Sequence, residues 1–153
     1  MAQPYPVRFT YAKKIVPLPP ATADQLAVVE TAFGPLPSEY RRFLSTVNGG
    51  APVPCFLDFP SRHEFEIECF YGVGAPSDAY SVEYRSASVS ERMGQTVVAI
   101  AGDGFGDQLI LLRPGDPAVY QWVHDEQIPP IRMAPSFPAL LAALVPAPKD
   151  PDR

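Results

Sequence analysis

The sequence predicts one α+β domain: two N-terminal helices, an antiparallel sheet of about five to six strands of mixed length with a helix inserted, and a C-terminal helix packed on the sheet. Two observations carry this. Apolar residues recur at i, i+3, i+4 and i+7 towards both ends of the chain, in Tyr40, Phe43, Leu44 and Val47 and again in Phe137, Leu140, Leu141 and Leu144. Between them the pattern changes to short alternating or continuously apolar runs broken by Gly and Pro, as strands linked by hairpins require.

In chain order, residues 7–11 alternate weakly and are expected to form an edge strand within an N-terminal arm over 1–17. Thr22 and Gln25 then stand at capping-box spacing, the hydroxyl accepting from the Gln25 amide while the Gln25 side chain reaches back. Leu26, Val29, Ala32 and Phe33 give this helix its apolar face, and Gly34 stops it. Only Pro35, Leu36 and Pro37 precede the next helix, so the two are expected to pack as a short-linked pair. Ser38 is the expected N-cap of the second helix, and Glu39 lies at the positive end of its dipole. Asn48, Gly49 and Gly50 end it, since Asn and Gly tolerate the left-handed backbone of a helix stop.

Residues 53–59 read as a strand, with Pro52 and Pro54 placing it at an edge or a bulge. Residues 65–73 read as a better one, turning Phe65, Ile67 and Cys69 to one face and Glu64, Glu66 and Glu68 to the other. A helix or helical turn is expected over 79–92, ending near Gly94. Strands over 96–101 and 107–113 flank the loop from Gly102 to Gly106, whose glycines permit a tight hairpin. Leu109, Ile110, Leu111 and Leu112 suit a central strand covered on both faces. A third strand over 118–123 sets Tyr120 and Trp122 opposite Val119 and Val123. Residues 128–133 add a short strand, and Ser136 caps the last helix. The domain proper is expected over 18–145, followed by a proline-rich tail over 146–153. The chain's 20 prolines cluster at its ends and at element junctions, where they punctuate structure without preventing a core.

At 153 residues and 46% apolar content, one domain is the default, burying about 70% of the unfolded surface. The net charge of −5 argues against a nucleic-acid binder, whose affinity rests on Lys and Arg neutralising phosphates, and suits a basic partner. Two cysteines, Cys55 and Cys69, are too few for a disulfide framework; they read as buried free thiols of a reducing compartment or, alternatively, as one bridge. Neither a signal peptide nor an apolar run of membrane-spanning length is visible, so the expectation is a cytoplasmic protein without membrane contact.

Three motifs resemble one family. The first joins Leu18-Pro19-Pro20-Ala21-Thr22 to Leu36-Pro37, Tyr40-Arg41, Phe43-Leu44 and Asn48-Gly49-Gly50. The second is Ile100-Ala101-Gly102-Asp103-Gly104-Phe105-Gly106-Asp107 with the apolar strand after it. The third is Val119-Tyr120 and Trp122 followed by His124-Asp125-Glu126, then the helix of Ser136-Phe137 and Leu140-Leu141. In this order, from Leu18 to Leu144, they resemble the SUKH superfamily, which includes bacterial toxin-immunity proteins and fungal cell-wall regulators. One departure stands out: Val123 follows Trp122 where an acidic residue would be typical. The resemblance implies a small cytoplasmic protein that binds a secreted polymorphic toxin, often a nuclease or deaminase, with no catalysis and no cofactor. The alternative is a regulatory protein-interaction module without a toxin partner.

The candidate partner-binding residues are Glu64, Glu66, Glu68, Asp103, Asp107, Trp122, Asp125 and Glu126. Same-face strand residues lie about 6.6 Å apart, so the three glutamates span about 13 Å of one face. They form either a solvated face or an acidic strip for a basic partner. From Asp58 to Glu83 six acidic residues face a single arginine, Arg62, and like charges in a row cost stability. A divalent-cation site is disfavoured because such carboxylates do not converge. The Gly102–Asp107 loop is no phosphate cradle, since a strand and not a helix N-terminus follows it; Asp103 and Asp107 instead suit a binding rim. His63 and His124 with the two cysteines lack metal-ligand spacing. A nucleophilic pairing of Cys55 or Cys69 with His124 is formally open, yet nothing supplies an oxyanion donor. Tyr120 and Trp122 are read as core, or as an aromatic anchor beside His124, Asp125 and Glu126.

Overall fold

The computed structural model describes residues 5–12, 14–58 and 64–148. The expected strand end at Phe59, the tail residues 149–153, and Arg62 and His63 lie outside them. The order is β1 (Arg8–Thr10), α1 (Ala23–Phe33), α2 (Ser38–Thr46), β2 (Ala51–Val53), β3 (Phe56–Leu57), β4 (Phe65–Glu66), β5 (Cys69–Phe70), a 3-10 turn (Asp78–Tyr80), α3 (Val82–Met93), β6 (Val97–Gly102), β7 (Gln108–Leu112), β8 (Val119–Trp122), β9 (Ile131–Ala134), α4 (Phe137–Ala143) and β10 (Leu144–Val145). This is the α+β arrangement the apolar periodicities predict.

The main sheet runs β5-β6-β7-β8-β9, antiparallel throughout. β1 pairs with β2, and Gly50 exchanges backbone hydrogen bonds of 3.0 and 2.8 Å with Phe70, joining that hairpin to the β5 edge. A separate three-stranded sheet runs β10-β3-β4. The 65–73 run is therefore not one strand: Phe65 and Glu66 pair with β3, whereas Cys69 and Phe70 pair with β6. The alternation persists across the break, with Phe65, Ile67 and Cys69 buried and Glu64, Glu66 and Glu68 exposed. Likewise 53–59 divides at Pro54 and Cys55 into β2 and β3.

Thr22 caps α1 with the full reciprocal box: its hydroxyl accepts from Gln25 N at 3.1 Å and its amide donates to Gln25 Oε1 at 2.9 Å. The N-cap of α2 is Pro37, not Ser38, because the Pro37 carbonyl already accepts the first helical bond from Arg41 N at 2.9 Å. The linker is held from α1, where Glu30 Oε2 accepts from Leu36 N at 2.9 Å and Oε1 from Arg41 Nε at 3.1 Å. The apolar stripe of α2 meets α4 and β5 in an aromatic cluster: Phe43 lies 5.1 Å from Phe137 and 5.6 Å from Phe70, and Tyr40 lies 5.2 Å from Phe137.

β5 pairs with only the last residues of β6, leaving the first half of that edge open. α3 closes it. Ser90 Oγ accepts from Val97 N at 2.9 Å and donates to Val97 O at 3.1 Å, and Ser86 Oγ accepts from Ala99 N at 2.9 Å. A bulge between Ala99 and Ala101 shifts the register of β6 against β7. β6 is buried along its whole length, as are Leu109, Ile110 and Leu111 in the central β7. Among the described residues no helix is long and apolar enough to cross a membrane.

Candidate functional site

The β6–β7 loop is folded by its own aspartate. Asp103 Oδ1 accepts from Phe105 N at 2.8 Å and from Asp107 N at 3.2 Å, which closes the turn and turns Phe105 outward. Phe105 is 85% exposed, the most exposed large apolar side chain of the described residues. The two glycines beside it are required by close approach. A Cβ on Gly106 would stand 2.7 Å from the His124 ring, one on Gly104 would meet the Glu68 carboxylate, and both residues have positive φ, 114° and 83°. Burial raises the Asp103 carboxyl above its ordinary pKa; the neighbouring Asp107 charge pushes the same way, and the loop amides oppose it.

Glu64, Glu66, Glu68 and Asp103 line one surface groove of about 530 Å³, floored by Phe56 and Ile67 and walled by Phe105. The structure thus gathers four of the eight sequence-predicted site residues. No lysine or arginine lines the groove among the described residues. One oxygen of Glu66 is met by the Cys55 thiol at 3.8 Å and Asp103 Oδ1 is taken by the loop amides, while Glu64, Glu66 and Glu68 are exposed.

Asp107 and Asp125 lie on the other side of the loop with His124. Asp107 Oδ1 is 2.6 Å from His124 Nδ1 and accepts from His124 N at 3.1 Å, while Oδ2 accepts from Gln121 Nε2 at 3.1 Å. Asp107 therefore ties the loop to the end of β8. Asp107, His124 and Asp125 each bring a ligand-type atom within 4.8 Å of the others, but the two nearest groups are already paired with each other. Trp122 is half-buried, with the Arg92 guanidinium carbon 4.9 Å from its ring centroid, and it does not line the groove. Glu126 is exposed in the turn after β8.

Neither thiol pairs with His124. The Cys69 thiol donates to Phe70 O at 3.0 Å and burial pushes it up to about 12; the half-buried Cys55 is raised by burial and then by the Glu66 charge. Both stay protonated near neutrality, which removes the thiolate that a Cys-His nucleophile needs. Phe105 and Phe56 are the residues that the sequence reading missed. The signal was present for Phe105: an aromatic between two glycines at a hairpin tip has nothing to pack against.

Fold and groove together define a small α+β domain with a carboxylate-rimmed, aromatic-walled surface. The profile of the SMI1 / KNR4 family (SUKH-1) matches residues 20–143, and the chain belongs to this family. The motif resemblance to the SUKH superfamily is borne out. Among curated proteins no relative matches the chain.

Proposed function

We propose that the protein is a non-catalytic immunity protein that binds a cognate polymorphic toxin of the nuclease or deaminase type, inside the cell that makes both, and neutralises it stoichiometrically. The observation that carries this reading is the groove: four carboxylates and an exposed phenyl ring on a rigid loop, with no cation among the described lining residues. Such a surface complements the basic cleft with which a nuclease or nucleic-acid deaminase holds phosphates. Membership of the SMI1 / KNR4 family supports a protein partner, in line with the immunity role known for the superfamily.

Inhibition follows from occupancy. A toxin whose phosphate-binding residues are covered by Glu64, Glu66, Glu68 and Asp103 cannot take up its substrate, and nothing on this chain has to react. Asp107, Asp125 and Glu126 add negative charge at the same end of the sheet and steer the approach.

Co-expression tests the reading. Growth of cells carrying a toxin gene encoded beside this one should be rescued, and the purified pair should form a 1:1 complex without turnover. Failure with every adjacent toxin candidate would overturn the immunity role and leave the regulatory-module alternative.

A further inference from the structure

Phe105 combines high exposure with fixed placement. Its backbone is held by Asp103 Oδ1, and the loop is wedged between Glu68 on one side and the His124 ring on the other. A ring held in water on a rigid loop, at the wall of a groove, is pre-organised to be covered. The groove narrows what covers it. Carboxylates around it exclude an anion and penalise a purely apolar occupant, which would strip their water without replacing it. The groove carboxylates are not among the described side chains whose ligand atoms gather closely enough to hold one bare cation. The remaining chemistry is a long side chain with an apolar stem for Phe56 and Ile67 and a cationic head for the rim. Between the two such side chains, arginine alone is planar: its guanidinium pairs with carboxylates through a fork of N–H donors while its face lies on an aromatic ring.

We propose that the groove receives an arginine side chain presented by the partner, its guanidinium layered on the Phe105 ring and hydrogen-bonded to carboxylates of the Glu66, Glu68 and Asp103 rim. This rests on the groove being the partner-binding face of the immunity reading. It goes further in making recognition depend on one residue type and on a ring that carries no charge.

The test uses the full chain, isotope-labelled, titrated at low salt with acetylated tetra-arginine, tetra-lysine and tetra-glutamate peptides. The arginine peptide should shift the amide signals of Phe105, Glu66 and Glu68, and bind about two- to fivefold more tightly than the lysine peptide. Phe105→Ala should weaken binding of the arginine peptide more than that of the lysine peptide and so narrow the difference, while Asp24→Asn, in the first turn of α1 and not among the residues lining the groove, should change nothing. Equal affinity of the two cationic peptides for the wild-type chain would overturn the proposal. So would shifts mapping away from the groove, binding of the glutamate peptide, or an arginine preference that Phe105→Ala leaves undiminished. Failure of growth rescue with the arginine preference intact would sink the immunity role and not the groove; rescue with no arginine preference would sink this assignment alone.

Discussion

Asn48 and Val73 exchange two hydrogen bonds: the Asn48 side chain accepts from Val73 N at 2.8 Å and donates to Val73 O at 3.0 Å. The same amide nitrogen donates to Pro19 O at 2.8 Å. One buried side chain at the end of α2 therefore satisfies the backbone of two segments that have no ladder of their own, from a residue at φ 55°.

Asn48→Ala should cost about 2–4 kcal/mol, because it strips partners from buried backbone groups at Val73 and Pro19. Asn48→Asp should cost a similar amount, since a carboxylate cannot donate to the two carbonyls. Urea denaturation reads both. A loss below about 1 kcal/mol for either would show that the contact is dispensable.

Charge reversal of the strip, Glu64→Lys with Glu66→Lys and Glu68→Lys, should weaken binding of the proposed toxin partner by the order of a hundredfold. All three side chains are exposed, so the melting temperature should stay within about 2 °C of the parent. Unchanged affinity in a pull-down or titration would move the interface off this face.

Two glycines separate conformation from crowding. Gly94 ends α3 at φ 70° with open space around it, so Gly94→Ala should cost about 1 kcal/mol. Gly49 has φ 100°, and its Cβ would stand 3.0 to 3.2 Å from backbone atoms of Phe70, Tyr71 and Gly72, which cannot move aside as a side chain does. Gly49→Ala should cost more than about 3 kcal/mol. Equal melting temperatures for the two variants would contradict this.

Two aspartates pull the pH dependence in opposite directions. The Tyr120 hydroxyl, at 2.7 Å, and then the Ala118 amide, at 2.9 Å, lower the Asp116 pKa. Its contribution is present above the unfolded value of about 3.9 and lost as pH falls through the folded one. Asp116→Asn should therefore destabilise at pH 7 and converge on the parent in acid. Asp103 is raised, chiefly by burial, so its contribution is full below the unfolded value and lost as pH rises through the folded one. Asp103→Asn keeps an acceptor for the loop amides and removes the buried charge, so at pH 7 it should be neutral or stabilising. Denaturation midpoints from pH 3 to 7 check both signs.

What the sequence revealed follows from what repeats locally. The stripes of α2 and α4, the Thr22 capping box and the alternation of Glu64, Glu66 and Glu68 are each set by spacing within a few residues. Partner choice is set elsewhere. Nothing near Phe65 indicates that it pairs with β3 while Cys69 pairs with β6, and Ser38 looks like a cap until Glu30 is seen holding the linker through Leu36. At the candidate site the carboxylates were visible as a pattern, whereas their convergence with Asp103 depends on β4 and the β6–β7 loop reaching the same end of the fold. Phe105 was legible as a residue but not as a wall, because exposure is a property of what is missing around it.

Ser86 and Ser90 act as a stopper on the open half of β6. Two hydroxyls on a helix satisfy that backbone and offer no further ladder, so a second copy of the chain cannot zip onto the main sheet there. Any assembly must use another margin, and a Ser86→Ala, Ser90→Ala chain would leave two backbone amides and a carbonyl of β6 without partners beneath α3.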